Sequence, residues 1–261
     1  MDLRRVLSYV RRGVEDYDMI KDGDKIAVGV SAGKDSLTLL CALAEMRRFY
    51  PKKYEVMAIT VDMGFEGVDF SPIAKLCEEL NVPYHIAKTD IYDIIFNVRK
   101  EKSPCALCAK MRRGVLNNTA RDLGCNVVAL GHHYDDVVDT FMLNLFYEGR
   151  IGCFQPVTEL SRAGVRVIRP MLYLPEKVVR TFAEKEELPV IKSPCPADGN
   201  TERTEMNKLL NDLERKSSGL RYRIFGALQR ADVDGFAPLP PRPKQSGKNR
   251  NHPAPAEAEE E

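Results

Sequence analysis

The chain has 261 residues, of which 44% are hydrophobic and 30% charged, and its formal net charge is +1. This length is enough for one large α/β domain with an extension, and the near-zero net charge predicts that any RNA-binding surface is local. Neither a run of about 18 apolar residues nor the core of a signal peptide is visible. We therefore expect a cytoplasmic protein with no membrane partner, whose seven cysteines are thiols rather than disulfides.

The chain begins with a predicted amphipathic helix, which we treat as an N-terminal unit of residues 1–20. One face of this helix is apolar, and the other carries Arg4, Arg5, Arg11 and Arg12. Such a basic face either faces solvent or makes a first contact with RNA phosphates, which arginine binds well. The sequence leaves both alternatives open.

The next stretch, residues 26–36 with the sequence IAVGVSAGKDS, predicts a phosphate-binding loop between a buried strand and a helix that starts near Ser36. Backbone N–H groups and the helix dipole favour an anion at such a junction, although a plain tight turn is the alternative. Gly29 and Gly33 are too close together for an ordinary P-loop. Ala32 resists a positive φ, so the loop must tolerate alanine there. The predicted nucleotide-binding residues are Val30, Ser31, Gly33, Lys34, Asp35 and Ser36.

Strands and helices then alternate along the chain. Further strands are predicted at residues 54–62, 84–88, 127–131, 165–171 and 190–191, and helices at 71–81, from 103, and at 137–147, 175–187 and 201–217. Residues 149–164 are predicted to be an irregular loop, and the chain is predicted to be disordered from about residue 236. The alternation predicts a doubly wound, mainly parallel α/β sheet over residues 21–217, with a helical C-terminal extension at 218–261.

Polar side chains follow two of these strands at the points where the strands end. Asp62 ends the strand at 54–62, where it can bind a ribose or a metal, or simply form a turn. The strand at 127–131 continues into the sequence GHHYDD, whose two adjacent carboxylates can hold Mg²⁺ or cap the following helix. The predicted cofactor-binding residues of these ends are Asp62, Gly131, His132 and Asp135, and Asp136 is predicted to be catalytic.

Three cysteines form a separate motif. Cys105 and Cys108 follow a Ser-Pro pair that favours a helix start, so both thiols are expected on one face of a helix N-terminus, which lowers the pKa of a thiol. Cys195 lies between two prolines that exclude a helix. Three thiolates with an open fourth position suit an iron–sulfur cluster, or a zinc site that His132 or His133 completes.

Together these motifs resemble the tRNA 2-thiocytidine synthetase family, an iron–sulfur branch of the PP-loop ATP pyrophosphatases. The resemblance covers roughly residues 5–217 and rests on the sequences SAGKDS, CALC, RRG, GHHYDD, NLFY and IRPMLY. It implies a Rossmann-like PP-loop fold, ATP with Mg²⁺, and a 4Fe-4S cluster held by Cys105, Cys108 and Cys195. The implied reaction adenylates C2 of an anticodon-loop cytidine, expected at position 32, and replaces its oxygen with sulfur delivered through the cluster.

Four residues receive roles in that reaction. Lys34 would neutralise the developing pyrophosphate charge, Asp35 and Asp136 would bind Mg²⁺, and Arg112 would steady the adenylate or an RNA phosphate. The implied partners are tRNA and a sulfur donor, either sulfide or a cysteine desulfurase, and a homodimer is left open. The alternatives are tRNA uridine 2-thiolation by the same chemistry, a cluster-free PP-loop amidase or ligase such as a lysidine synthetase, thiolation through a cysteine persulfide, and an ATP-binding sensor with a structural zinc.

Overall fold

The computed structural model describes residues 3–100, 104–192, 194–195 and 202–240. Across these ranges, six strands form one sheet in the order β3-β2-β1-β4-β6-β5, in which all neighbours are parallel except β5 and β6. The strands are β1 Asp24–Gly29, β2 Tyr54–Asp62, β3 Tyr84–Lys88, β4 Val127–Ala129, β5 Val157–Leu160 and β6 Val165–Ile168. The predicted class, a mainly parallel α/β sheet with a helical C-terminal extension, is confirmed.

Helices cover both faces of this sheet, as the alternating side chains of a buried strand require. The helices are α1 Leu3–Asp16, α2 Lys34–Met46, α3 Ser71–Glu79, α4 Pro104–Asp122, α5 Tyr134–Tyr147, α6 Glu176–Lys185, α7 Glu202–Lys216 and α8 Leu220–Arg230. In β1, Ile26 and Val28 join the larger core beneath α2, whereas Ala27 joins a smaller core beneath α4. The lack of a side chain at Gly29 lets α4 approach, since a Cβ there would lie 2.8 Å from Leu116 Cδ2.

The N-terminal helix is packed into the larger core. Val6, Val10 and Val14 are fully buried on its apolar face. At Gly13 an added Cβ would lie 2.7 Å from the carbonyl oxygen of Pro170, so the helix and the segment after β6 touch backbone to backbone. In the part of the chain that the structure describes, no helix is both long and apolar enough to cross a membrane.

Two sequence predictions for the second half of the sheet are wrong. The region predicted to be irregular contains β5, which pairs in antiparallel fashion with β6, so that Val157 lies opposite Ile168. Residues 190–191 do not form a strand. Among the described residues, their backbone makes a single hydrogen bond to a distant part of the chain, from Ile191 N–H to the carbonyl of Ala32 at 3.0 Å. In both cases the pairing partner, not the local pattern, decides whether a short segment is a strand.

The predicted start of disorder at about residue 236 is also wrong. Phe236 is fully buried and packs edge-on against Tyr17 and Phe225. The hydroxyl of Tyr17 donates to the carbonyl of Phe236 at 2.9 Å, and Leu239 N–H donates to Asp16 at 2.7 Å. One aromatic anchor therefore holds a segment whose average composition is that of a disordered chain. The same prediction for residues 241–261 lies outside the described residues.

Candidate active site

The phosphate loop joins the carboxyl end of β1 to the first turn of α2. Ser36 is buried and closes the loop: its Oγ accepts from Ser31 N–H at 3.1 Å and donates to the carbonyl of Gly33 at 2.9 Å. The hydroxyl oxygen of Ser31 lies 3.3 Å from Ser36 Oγ. On the other side, Val30 N–H donates to Ile59 of the neighbouring strand at 2.8 Å. The predicted strand–loop–helix junction is therefore present, with its backbone fixed by its own side chains, and anion binding there stays a prediction.

The left-handed residue of this loop is Ala32 and not a glycine. Ala32 has a φ of 65°, whereas Gly33 lies in the extended region at φ −83° and ψ 156°. The bond from Ile191 to the Ala32 carbonyl helps to hold this unfavourable conformation. Any residue can adopt the backbone angles of Gly33, and a Cβ there would meet only Ser31 Oγ, at 3.6 Å. Among the described residues, few atoms therefore crowd the backbone of Gly33 at the start of α2.

The β4–α5 turn packs directly on the first turn of α2. A Cβ on Gly131 would lie 3.1 Å from three backbone atoms of Asp35 and Ser36. This close approach places His133 Nε2 3.7 Å from Asp35 Oδ1. The structure thus joins the two motifs that the sequence contained separately.

Within that turn, Asp136 caps the helix and also faces the phosphate loop. Its Oδ2 accepts from His133 N–H at 2.9 Å and lies 3.6 Å from His133 Nδ1, and its Oδ1 is 3.2 Å from Arg203. Burial raises the pKa of Asp136; His133 and Arg203 oppose this shift, and the charge of Asp35 adds to it. Two carboxylates that disfavour each other's charge are a setting in which a divalent cation is stabilising. Capping and cation binding are therefore compatible at Asp136.

Lys34 lies between two carboxylates. Its Nζ is 3.1 Å from Asp35 Oδ1 and 3.3 Å from Glu176 Oε1 at the start of α6. Burial lowers the pKa of Lys34, but the two carboxylates outweigh burial and leave the pKa above its ordinary value. Glu176 was not found from the sequence, because a glutamate after a proline signals a helix start and carries no information about its distant partner.

Asp135 fixes α6 against this site. Its Oδ2 accepts from Glu176 N–H at 2.7 Å, and its Oδ1 lies 3.6 Å from Arg221. Asp62, at the end of β2, accepts from Gly64 N–H at 3.0 Å, which is the turn-forming role considered for it. Contacts of either carboxylate with a nucleotide stay predictions.

The ring of His132 packs against an aromatic residue, whereas the ring of His133 lies near Asp35. The His132 ring lies 4.8 Å from that of Phe154, which in turn carries the guanidinium of Arg169 at 5.0 Å. Burial, followed by the positive charges of Arg169 and Arg203, lowers the pKa of His132 to about 3. The imidazole is therefore neutral at neutral pH. Phe154 and Arg169 are neighbours of the site that sequence reasoning did not assign, although Arg169 lies inside a motif that carried the family resemblance.

Cys105 and Cys108 lie in the first turns of α4, and Cys195 is close enough for its charge to act on Cys108. All seven cysteines lie in the described residues, and all are thiols. The charges of Cys195 and Cys105 both act on Cys108, and Arg112 hydrogen-bonds its thiol. Burial is the largest effect and raises the pKa of Cys108, so the predicted lowering by the helix N-terminus is wrong for this thiol.

The path of the chain explains how Cys195 reaches this place. After α6, the bond from Ile191 to Ala32 ties the segment before Cys195 to the phosphate loop. Three converging thiols fit the donor set of an iron–sulfur cluster, in which each thiolate binds a different iron. Among the described residues, no three His, Cys, Asp or Glu side chains form a group that could hold a single metal ion as they stand.

Comparisons with known proteins show the family of the chain. A family model described as a PP-loop domain matches residues 6–225. The tRNA-cytidine(32) 2-sulfurtransferase of Geobacter sulfurreducens is 40% identical over 228 residues, which cover 86% of this chain and 89% of that protein. The enzyme of the same name from Acinetobacter baumannii is 37% identical over 237 residues, covering 90% of this chain and 79% of that protein.

A solved structure is similar over the same region. The U34-tRNA thiolase NcsA from Methanococcus maripaludis, determined with its 4Fe-4S cluster, superposes with a TM-score of 0.71 at 29% identity. The match covers 88% of this chain and 78% of NcsA.

Proposed function

Because the chain belongs to the PP-loop family of tRNA-cytidine(32) 2-sulfurtransferases, we propose that it uses ATP to replace the C2 oxygen of cytidine 32 in tRNA with sulfur. The observation that carries this proposal is that Cys195, on a segment bonded to the PP-loop, and Cys105 both lie close enough to Cys108 for the charges of these thiols to interact. A cluster-free amidase or ligase on this fold, such as a lysidine synthetase, has no use for three converging thiols. The sequence relatives named for cytidine favour that base over the uridine of the structural relative.

The phosphate loop would bind the triphosphate of ATP. Residues 30–33 lead into the start of α2, where the helix dipole favours negative charge. The hydroxyl of Ser31 lies at this helix start, 3.3 Å from Ser36 Oγ. Asp35 and Asp136 would hold Mg²⁺ between the loop and the acidic turn. In this proposal the nucleotide site also includes the other residues predicted at the ends of β2 and β4, which are Asp62, Gly131, His132 and Asp135.

The chemical problem is that the C2 oxygen of cytidine is a poor leaving group. Transfer of the adenylyl group of ATP to that oxygen converts it into part of AMP, which leaves readily. Lys34 would neutralise the charge that develops on the departing pyrophosphate, in a position already fixed by Asp35 and Glu176. Arg112, which hydrogen-bonds the Cys108 thiol, would steady the adenylate or an adjacent RNA phosphate.

A 4Fe-4S cluster would be held by Cys105, Cys108 and Cys195. When bound, this cluster would deliver sulfur that a separate donor provides, either sulfide or a cysteine desulfurase. The basic face of α1 is a candidate for contacting tRNA phosphates, although Arg11 and Arg12 already pair with Glu15 and Asp16. A homodimer is compatible with this scheme and is not required by it.

The test is to replace each motif cysteine by alanine, reconstitute the proteins anaerobically, and measure iron, acid-labile sulfide, ATP binding and thiolated tRNA. We expect each variant to lose cluster and thiolation together and to retain ATP binding, since the phosphate loop is held by its own serines. Cys125→Ala is the matched control, because Cys125 is buried in the smaller core and should keep its cluster.

Full cluster content in Cys195→Ala would refute the three-ligand site. Full thiolation in any of the three motif variants would refute the cluster's role in the reaction. Loss of activity with iron retained would instead indicate a persulfide mechanism.

A further inference from the structure

The ammonium group of Lys34 has three N–H donors, and within the described residues it contacts two carboxylates. One is Asp35, with oxygens at 3.1 and 3.3 Å, and the other is Glu176 Oε1 at 3.3 Å. Lys34 is the first residue of α2 and Glu176 is the first residue of α6, so the contact between their side chains joins two helix starts. The side chain of Lys34 is 28% exposed, which leaves room for a third partner from outside.

Glu176 is itself held in place from several directions. Its backbone N–H donates to Asp135 at 2.7 Å, and its Oε1 also accepts from Arg180 at 3.2 Å. Just before it, the Leu174 carbonyl accepts from Tyr134 N–H at 3.1 Å. The acidic turn therefore fixes the start of α6. Burial raises the pKa of Glu176, but Lys34 and Arg180 outweigh it and lower the pKa below its ordinary value, so the group is ionised at neutral pH.

We propose that Glu176 is a positioning residue for Lys34. Glu176 and Asp35 each accept a hydrogen bond from the Lys34 ammonium, and the third N–H of that ammonium is then directed at the phosphate of ATP. This inference rests on the function proposed above. A lysine side chain is flexible, and one acceptor leaves its ammonium free to turn about that contact. Two acceptors from different helices remove this freedom before ATP arrives.

The expected effect falls on the chemical step more than on ATP binding. A misdirected ammonium still attracts the triphosphate by its charge, and removing a carboxylate next to the phosphates also removes a repulsion. The charge that develops on departing pyrophosphate, however, is stabilised only by a donor already in place. Orientation of Lys34 should therefore appear in kcat and hardly in the KM for ATP.

Three variants distinguish three possible effects at Glu176: loss of the acceptor oxygen, loss of the negative charge, and a general effect of changing a glutamate on α6. Glu176→Ala removes the acceptor, Glu176→Gln keeps an acceptor oxygen without the charge, and Glu184→Ala changes an exposed glutamate of the same helix. Each is assayed for ATP-dependent tRNA thiolation, iron content and thermal unfolding. We expect Glu176→Ala to lower kcat by about tenfold or more while the KM for ATP stays within about threefold. Glu176→Gln should recover most of that loss, and Glu184→Ala should match the unchanged protein, with iron content equal in all.

Wild-type kcat in Glu176→Ala would overturn the proposal, and so would equal kcat losses in the alanine and glutamine variants. A rise in KM as large as the fall in kcat would also overturn it, since that result assigns Glu176 to ATP binding. Absence of ATP-dependent thiolation in the unchanged protein would refute the proposed function itself, which separates the two failures. Should Glu176→Ala unfold at the assay temperature, the alanine and glutamine variants are compared at a lower temperature at which both are folded, and the same outcomes decide.

Discussion

Replacing Gly131 with alanine tests whether the close packing of two loops creates the active site. The added Cβ would lie 3.1 Å from three backbone atoms of Asp35 and Ser36, against an ordinary contact of 3.4–4 Å. Neither side can move a flexible side chain away, so the β4–α5 turn has to retreat from the phosphate loop by about 0.3–0.5 Å, at a cost of about 1–3 kcal/mol.

The same displacement separates Asp136 and His133 from Asp35. Since a misplacement of about 1 Å costs about 10²-fold in rate, a retreat of up to about half that distance should lower kcat by up to about tenfold. A destabilisation of about 2 kcal/mol should lower the melting temperature by about 4–8 °C in a protein of this size. The assays are thermal unfolding and single-turnover tRNA thiolation at saturating ATP.

Gly114→Ala is the matched control for Gly131→Ala. Gly114 lies inside α4, and no described atom outside the adjoining backbone of that helix would lie within 4 Å of an added Cβ. Alanine should stabilise this helix position by about 0.5–1 kcal/mol, because glycine loses more conformational freedom on folding. If Gly131→Ala matched this control in both melting temperature and thiolation, the reasoning from close approach would be refuted.

Three further predictions follow from single contacts. Lys34→Ala should abolish thiolation while leaving unfolding and iron content unchanged, and normal product formation by it would contradict the phosphate-loop assignment. The pKa of His132 in the folded state, about 3, lies below the value of about 6.5 for an unfolded histidine; its contribution to stability is therefore present above pH 6.5 and lost as the pH falls toward 3. Chemical denaturation should show about 2 kcal/mol more loss between pH 7 and pH 5 in the unchanged protein than in His132→Gln, and equal pH slopes would count against a buried neutral imidazole. Deleting residues 241–261 should leave turnover unchanged, since their composition cannot form a core, whereas deleting 236–261 removes the buried Phe236 and should cost about 1.5–3 kcal/mol; equal melting temperatures for the two truncations would show that Phe236 is not an anchor.

Where a segment's structure depends on its own residues, the sequence predicted it closely. The strands at 54–62 and 84–88 are confirmed with both boundaries as predicted. Each combines β-branched or aromatic residues with flanking turn signals, and each pairs in parallel within the sheet. The same holds for the helix that carries Cys105 and Cys108, which starts at Pro104 because proline fits the first helical turn.

Prediction was weaker where a neighbouring segment supplies the reason. The edge strand Val157–Leu160 has an indistinct pattern of its own, and its pairing with β6 makes it a strand. The helix α5 begins at Tyr134, three residues before the predicted Val137, because the carboxylate of Asp136 caps the helix start by accepting from His133 N–H. Phe236 is held by rings of residues far away in the chain, and a composition average over its neighbours conceals that anchor.

The sequence by itself determined the parts of the site: a phosphate loop, an acidic turn and three cysteines, each recognisable because a few adjacent residues are enough for its chemistry. Only the tertiary structure decided how these parts meet. The bond from Ile191 to Ala32 brings the segment of Cys195 to the phosphate loop, and the missing side chain of Gly131 brings the acidic turn onto α2. Glu176 reaches Lys34 across 142 positions of sequence because two helix starts face one another at the edge of a parallel sheet. Local residue patterns encode conformation and chemical type, whereas contacts between distant residues exist only once the core is packed, and this packing is what sets the geometry of the site.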